Sequence, residues 1–158
     1  MLDINIYYIF CLQFMFKYLF IMLNKLMKIL SFAPNAGYVL SELKIDGNAV
    51  TTASSYTFEN VTSDHTITAN FSPISYTIKY NGNGATSGSM SDSSHTYGVA
   101  KALTTNSFSR TGYNFLGWST SSSATTATYT NGQSVSNLTT TNGATVNLYA
   151  VWGETLVL

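Results

Sequence analysis

Charged residues are the first thing that this sequence lacks. Lysine, arginine, aspartate and glutamate make up 9% of the 158 residues, with 7 cations balancing 7 anions, against about 25% of an average soluble domain. A protein that binds nucleic acid needs a basic face to neutralise phosphates. Nucleic acid is therefore not an expected partner. Serine, threonine, asparagine and glycine fill the polar positions, so hydroxyl and amide groups provide the contact with water.

Residues that carry catalysis or bind metals are also scarce. The single cysteine, Cys11, excludes an internal disulfide. The two histidines, His65 and His95, lie far apart and have no cysteine beside them. There is no Gly-x-Ser-x-Gly motif and no evident pair of carboxylates for acid–base chemistry. The sequence therefore predicts no catalytic, cofactor-binding or metal-binding residues and no cofactor, and we expect that the chain is not an enzyme.

Residues 1–31 differ in composition from the rest of the chain. They are largely apolar, and from residue 16 leucines recur at helical spacing, which predicts an apolar helix with a narrow polar stripe. There is no clear signal peptide, because Asp3 precedes the apolar run and the lysines follow it. A second interpretation is membrane association of residues 4–23, although Lys17 would cost roughly 2.5–3.5 kcal/mol near the bilayer centre. A third is that the segment is not native to the domain behind it.

From residue 32 the chain changes to short alternating segments separated by glycine, asparagine, aspartate and serine. This pattern is typical of antiparallel β structure. In the first block, residues 32–73, we predict that Val39, Leu43 and Ile45 share one face of a strand. Asp46 and Gly47 follow, a pair that favours a type I′ hairpin turn because both central residues of that turn need positive φ.

The second block covers residues 74–153 and is followed by a short tail, residues 154–158. Its last strand is predicted to place Val146, Leu148, Ala150 and Trp152 on one face. The glycine-rich run at residues 82–88 lacks the lysine of a phosphate-binding loop and precedes no helical pattern, so it predicts a turn. The two blocks share a loose plan, which indicates tandem modules rather than one large domain.

The second block resembles the InlB B-repeat, also called the Listeria–Bacteroides repeat. The resemblance rests on the order and spacing of four segments: YTIKYNGNG (76–84), TYG (96–98), RTGYNFLGW (110–118) and LYAVW (148–152). The first block resembles the divergent form of that repeat through FAPNAGY (32–38), YTFENVT (56–62) and HTITANF (65–71). In that family strands precede the Pro-Asn-Ala-Gly-Tyr element, whereas residues 1–31 do not match, so we expect the first module to be incomplete.

The resemblance implies a small β-grasp-like antiparallel sheet in each module, repeated along a secreted bacterial cell-surface protein. The function it implies is that of a non-catalytic spacer or adhesive element, outside the cell or at its surface. Its partners would be other modules of the same protein and, for an adhesive element, a host or cell-wall glycan or protein. The alternative function is a carbohydrate-binding appendage of a secreted enzyme.

Large aromatic residues are the remaining candidates for a contact site. We predict that Tyr113, Phe115 and Trp152 fill the core, because a module of this size needs large side chains to bury enough apolar area. On an alternating strand, Trp118 and Tyr149 fall on the opposite face from these three. They are therefore the predicted surface-contact residues.

Overall fold

The computed structural model describes residues 22–24, 27–59, 61 and 63–155. The chain divides into two compact units between Pro73 and Ile74, called here the first unit and the second unit. Every regular element among the described residues is a β-strand, which confirms the mainly β prediction. The strands are β1 Met22–Asn24, β2 Met27–Ser31, β3 Tyr38–Ile45, β4 Asn48–Val50, β5 Ser55–Glu59, β6 Ile67–Pro73, β7 Ser75–Asn81, β8 Ser93–Thr96, β9 Lys101–Ala102, β10 Tyr113–Ser119, β11 Ser134–Val135 and β12 Thr145–Glu154.

The helix predicted for residues 1–31 is wrong wherever that segment is described. Strands β1 and β2 form an antiparallel pair, and β2 also pairs with β5, from Met27 opposite Glu59 to Ser31 opposite Ser55. A short apolar run fits a buried strand as well as a helix, and here pairing with β5 decides between them. Strands β1 and β2 precede the Pro-Asn-Ala-Gly-Tyr element, and the expectation that the first module is incomplete stays a prediction. Residues 1–21 lie outside the described part of the chain.

The first unit packs two small sheets around its own core. One sheet has the strand order β1-β2-β5 and the other β4-β3-β6, and every pairing within them is antiparallel. The hairpin between β3 and β4 turns at Asp46 and Gly47, whose φ angles of 49° and 78° confirm the predicted turn. The buried core residues are Leu30, Phe32, Leu43, Ile45, Phe58, Ile67 and Ala69.

The second unit contains a four-stranded sheet in the order β10-β12-β7-β8, together with a two-stranded sheet of β9 and β11. Strands β12 and β7 run parallel, whereas the outer pairings are antiparallel. The predicted inward face of β12 is confirmed, since Leu148 and Ala150 are buried while Val146 and Trp152 pack against the same core. The described residues contain no helix to cross the sheet, and the β-grasp-like assignment stays a prediction.

A β-bulge occurs at the same point in both units. In each unit a glycine directly precedes the tyrosine that begins the strand, and the register shifts between Leu40 and Glu42 in β3 and between Phe115 and Gly117 in β10. A bulge adds one residue to its strand, so the side chains beyond it change face relative to strict alternation. The next core residue after each bulge is completely buried: Leu43 in β3 and Trp118 in β10 are both 0% exposed.

Gly117 is required at the bulge because another segment passes against it. A Cβ atom added at Gly117 would lie 2.4 Å from the carbonyl oxygen of Tyr129 and 2.7 Å from the Cβ of Ala127, at a φ of 142°. The approach is fixed by backbone hydrogen bonds, because the Trp118 N–H donates to the Tyr129 carbonyl at 2.8 Å. This position therefore needs glycine both for its backbone angle and for its lack of a side chain.

The first prediction concerns this close approach. Gly117→Ala should lower the free energy of unfolding of the second unit by about 3 kcal/mol or more, since it combines overpacking with an unfavourable φ. Gly112→Ala is the matched control. Gly112 also has positive φ, at 79°, but an added Cβ meets nothing within 4 Å, so a loss of about 1 kcal/mol is expected.

Urea unfolding followed by tryptophan fluorescence measures both variants, because the two tryptophans of the chain, Trp118 and Trp152, lie in the second unit. Equal losses for the two variants would show that the approach of Tyr129 does not constrain the bulge.

Candidate functional site

Trp118, the first predicted contact residue, is a core residue. Its side chain is 0% exposed, and its ring centroid lies 5.0 Å from those of both Tyr80 and Phe115. The prediction that Trp118 lies at the surface is wrong because the bulge at Gly117 rotates it to the inner face. Strict alternation along β10, on which that prediction depended, does not hold beyond Phe115.

The three aromatics assigned to the core divide differently from the prediction. Phe115 and Trp152 are partly buried, pack against the core of the second unit and make an edge-to-face contact at 5.6 Å. Tyr113 is also partly buried, but the guanidinium carbon of Arg110 lies 3.8 Å from its ring centroid. This is the geometry of a cation–π contact. Tyr113 therefore supports Arg110 at the start of β10 rather than joining the core.

Tyr149, the second predicted contact residue, is half-buried on the side of β12 that faces away from the core. It lies opposite Ser119 of β10 in the register of the sheet. Further along the same side, Leu116 is 50% exposed and covers Gly153, where an added Cβ would lie 3.1 Å from the Leu116 Cδ1. We call this side of β10 and β12, bearing Leu116 and Tyr149, the outer face.

The outer face offers apolar contact through Leu116 and aromatic contact through Tyr149. Leu116 is not among the predicted contact residues, although strict alternation already places it on the same face of β10 as the one predicted for Trp118. The bulge moves Trp118 to the inner face and leaves Leu116 on the outer one. The signal for that change is Gly117 inside a strand pattern, since an isolated glycine there often marks a bulge.

A network of hydrogen-bonded polar groups surrounds the buried His95 in the second unit. His95 is 1% exposed, and its ring stacks on Tyr76 with the centroids 5.5 Å apart. The Tyr80 hydroxyl accepts a hydrogen bond from the Thr104 N–H at 2.8 Å. The same Tyr80 hydroxyl lies 3.1 Å from the Ser93 hydroxyl. The Ser93 hydroxyl in turn lies 3.1 Å from the Nε2 of His95.

This arrangement favours the neutral imidazole. Burial lowers the pKa of His95, and the positive charge of Lys101 lowers it further. The Nδ1 atom of His95 is buried and has no hydrogen-bond partner among the residues that the structure describes. Protonation would therefore place a charge in the core where no carboxylate stabilises it.

The pair of Ser93 and His95 has part of the geometry of a hydrolase nucleophile and its base, which the sequence analysis missed. Residues two apart on a strand share a face, so the signal was present in the spacing. A base of that type is oriented by an acceptor at its second nitrogen, whereas the Nδ1 of His95 has none. The buried ring is therefore organised as a packing and hydrogen-bonding group of the core.

His65, the other histidine, belongs to a hydrogen-bonded cluster in the first unit. Its Nδ1 lies 2.7 Å from one carboxylate oxygen of Asp46, while the other oxygen accepts the N–H of Thr66 at 2.8 Å. The hydrogen bond from His65 and that from the Thr66 backbone hold the pKa of Asp46 below its usual range. Asp46 thus connects the β3–β4 turn to the residues just before β6, and the cluster is structural.

The first unit also has an open cavity of about 250 Å³. Its lining is mostly apolar, with hydroxyl groups only from Thr52 and Ser54; the lining residues are Phe32, Pro34, Val39, Leu40, Thr52, Ala53 and Ser54. Binding sites for small polar molecules need several convergent polar groups. This cavity could hold at most a small apolar group, and the sequence analysis did not anticipate it.

The described residues contain neither a cluster of metal-binding side chains nor a helix suited to cross a membrane. Across residues 22–24, 27–59, 61 and 63–155, no three histidine, cysteine, aspartate or glutamate side chains come together as a metal site would need. Within the same residues there is no helix with the length and apolar character of a membrane span. The predicted membrane association of residues 4–23 falls almost wholly outside the described part.

Comparisons with known proteins agree with the division of the chain. Residues 29–75 match the family described as the divergent InlB B-repeat domain. Residues 76–151 match the Listeria-Bacteroides repeat domain. Neither the curated proteins nor the solved structures contain a match to this chain.

The second prediction follows from His95. Because its folded-state pKa is lowered, the unfolded chain binds more protons near neutral pH, and stability falls as the pH drops below the ordinary histidine pKa of 6.5. Between pH 7 and pH 5 the free energy of unfolding of the second unit should decrease by at most about 1.4 kcal/mol per pH unit. Urea unfolding followed by tryptophan fluorescence at several pH values measures this slope.

Two variants separate His95 from the other titrating groups. His95→Phe should remove most of the slope, whatever its effect on stability at pH 7. His65→Gln should leave the slope unchanged, because His65 lies in the first unit, which has no tryptophan. A slope that survives in His95→Phe would contradict the assignment.

Proposed function

We propose that this chain is a non-catalytic segment of a secreted bacterial cell-surface protein. Over residues 29–151 it consists of a divergent InlB B-repeat domain followed by a Listeria-Bacteroides repeat domain, and so it belongs to this repeat family. Both families are typical of bacterial surface proteins and are generally non-catalytic. In this proposal the segment acts as a spacer and carries an adhesive contact on its outer face.

The observation that carries the spacer role is the repetition of one structural plan. In both units a Gly-Tyr pair opens a strand, a bulge follows, and a completely buried residue comes next, Leu43 in one and Trp118 in the other. The bulged strand pairs antiparallel with the last strand of its unit in both cases. Tandem copies of one architecture are how chains build extended arrays of modules.

The adhesive role rests on the outer face. Leu116 and the half-buried Tyr149 present apolar and aromatic surface on neighbouring strands. Aromatic residues contribute large contact area at low entropic cost and are common among the residues that dominate binding energy. The partner would be a glycan or protein of the host or the cell wall, and the neighbouring partners in the chain would be further modules of the same protein.

The alternative, a carbohydrate-binding appendage of a secreted enzyme, has less support. It depended on Trp118 as a stacking ring, and Trp118 is completely buried. Tyr149 is then the aromatic residue of the predicted pair that a sugar could reach. Stacking of a sugar on the outer face is one specific form of the adhesive contact, and the binding test below distinguishes it.

The third prediction tests location. Intact source cells are treated with an external protease and then blotted with an antibody against residues 74–158, beside an antibody against a cytoplasmic protein as control. We expect a protease-sensitive band while the cytoplasmic control stays intact. A band that stays protected as long as the cytoplasmic control would contradict surface exposure.

The fourth prediction tests the outer face. The purified chain is assayed on a glycan array, on isolated cell-wall sacculi and on immobilised extracellular-matrix proteins. The double variant Leu116→Ser, Tyr149→Ser should bind about tenfold more weakly to whichever surface retains the native chain, a loss of about 1.4 kcal/mol.

Val99→Ser is the matched control, since Val99 is an exposed apolar residue, 53% exposed, away from β10 and β12. Equal binding by the native chain and the double variant, or an equal loss in the control, would remove the adhesive role. Binding confined to glycans and lost with Tyr149→Ser alone would favour the carbohydrate-binding alternative.

A further inference from the structure

The first and last strands of the second unit lie side by side and run parallel. Strand β7 pairs with β12 from Thr77 opposite Thr145 to Asn81 opposite Tyr149. Both strands begin at the same end of the sheet, because the Gly143 N–H donates to the Ser75 carbonyl at 2.8 Å. The chain therefore passes into the unit at the beginning of this pair and leaves it at the opposite end.

This arrangement decides how the unit responds to tension. A pull on the two chain ends moves β7 and β12 past each other along their length. The hydrogen bonds between parallel strands lie roughly across that direction and are evenly spaced, so they share the load and must break together. Two strands pulled apart from the same end would instead lose their hydrogen bonds one at a time.

Side chains extend the connection beyond the strand pairing. The Asn81 amide donates to the Leu148 carbonyl at 3.2 Å, and the Asn83 amide donates to the Ala150 carbonyl at 2.9 Å. In the other direction, the Trp152 indole N–H donates to the Gly82 carbonyl at 2.9 Å. The Asn81 bond reinforces the last paired residues, and the other two continue the contact past the end of β7, along the turn predicted from the glycine-rich run.

The inner side of the pair is shielded from water. Ile78 and Tyr80 of β7 and Leu148 and Ala150 of β12 are all buried in the core of the unit. Hydrogen bonds in a dry setting are replaced less readily by bonds to water. Strand β12 is also paired on its other side with β10, so it cannot leave the sheet alone without breaking a second ladder.

We propose that the second unit is a load-bearing module, in which the parallel pair of β7 and β12 is a mechanical clamp that holds the unit folded when the chain is stretched. The clamp itself follows from the topology, whereas its use in bearing tension at a cell surface rests on the proposed function. A spacer that connects a cell to whatever its protein adheres to has to transmit that tension.

The described part of the first unit has no such clamp. Its first two strands, β1 and β2, pair with each other, and β2 pairs also with β5, whereas its last strand, β6, pairs with β3. Strand β6 pairs antiparallel with β3, and Pro73 at its end lies opposite Tyr38 at the start of β3. Tension applied through Pro73 therefore opens this pair from one end. The first unit should extend at lower force than the second.

Single-molecule force spectroscopy on the full chain tests the clamp by changing only the direction of pulling. In a Cys11→Ser background, handles are attached through cysteines at Ser75 and Glu154 for the shearing direction. For the unzipping direction they are attached at Ser75 and Thr145, which start the two paired strands. All three sites are exposed. We expect a several-fold higher unfolding force in the shearing direction.

Before the force measurement, urea unfolding is used to check that the two cysteine variants are equally stable. If the Thr145 variant is not folded, Thr141, an exposed residue in the loop before β12, replaces it as the attachment site. The substitution Asn83→Gly removes the side-chain amide, and glycine tolerates the positive φ of 47° at this position. It should lower the unfolding force in the shearing direction more than in the unzipping direction.

Equal forces in the two directions would overturn the clamp. That result would leave the location of the protein untouched, because the measurement uses purified protein. Conversely, a protease-protected band in cells would remove the surface role and leave the measured clamp intact.

Discussion

The bulge in β10 is the constraint on which the rest of the second unit depends. Between Phe115 and Gly117 the strand gains a residue relative to β12, and everything beyond that point changes face. Trp118 enters the core and touches Tyr80 and Phe115, while Leu116 is left on the outer face. The bulge in turn depends on Gly117, which alone lets the Tyr129 carbonyl approach the strand. One glycine thus determines both what fills the core and what the surface presents.

Strand β12 connects this constraint to the proposed function. It pairs with the bulged strand on one side and with β7 on the other, and its inner residues lie in the core. The same strand therefore holds the outer face in place and forms half of the parallel clamp. Asn83 of the glycine-rich run donates to the Ala150 carbonyl of β12, so a segment that could be mistaken for a phosphate loop is instead held against the edge of this strand pair.

Local patterns predicted much of this from the sequence. The inward face of β12, the Asp46-Gly47 turn and the family of both modules follow from alternation, turn chemistry and motif spacing. The failures occur where pairing between distant segments decides. Trp118 is buried through a register shift against β12, and the apolar run at residues 27–31 becomes a strand because β5 is available to pair with it. No local pattern contains those partners.

The scarcity of charge has a physical consequence for how the folding of the chain depends on salt. The described salt bridge of Lys44 with Glu42 and the hydrogen bond of His65 with Asp46 both lie in the first unit. In the second unit, long loops are instead tied down by neutral groups, as where the Asn106 N–H donates to the Asn131 side chain at 2.8 Å. Salt screens interactions between exposed charges, whereas neutral hydrogen bonds do not depend on ionic strength in that way. The neutral hydrogen bonds that hold these loops of the second unit are therefore little affected by the salt content of the surroundings.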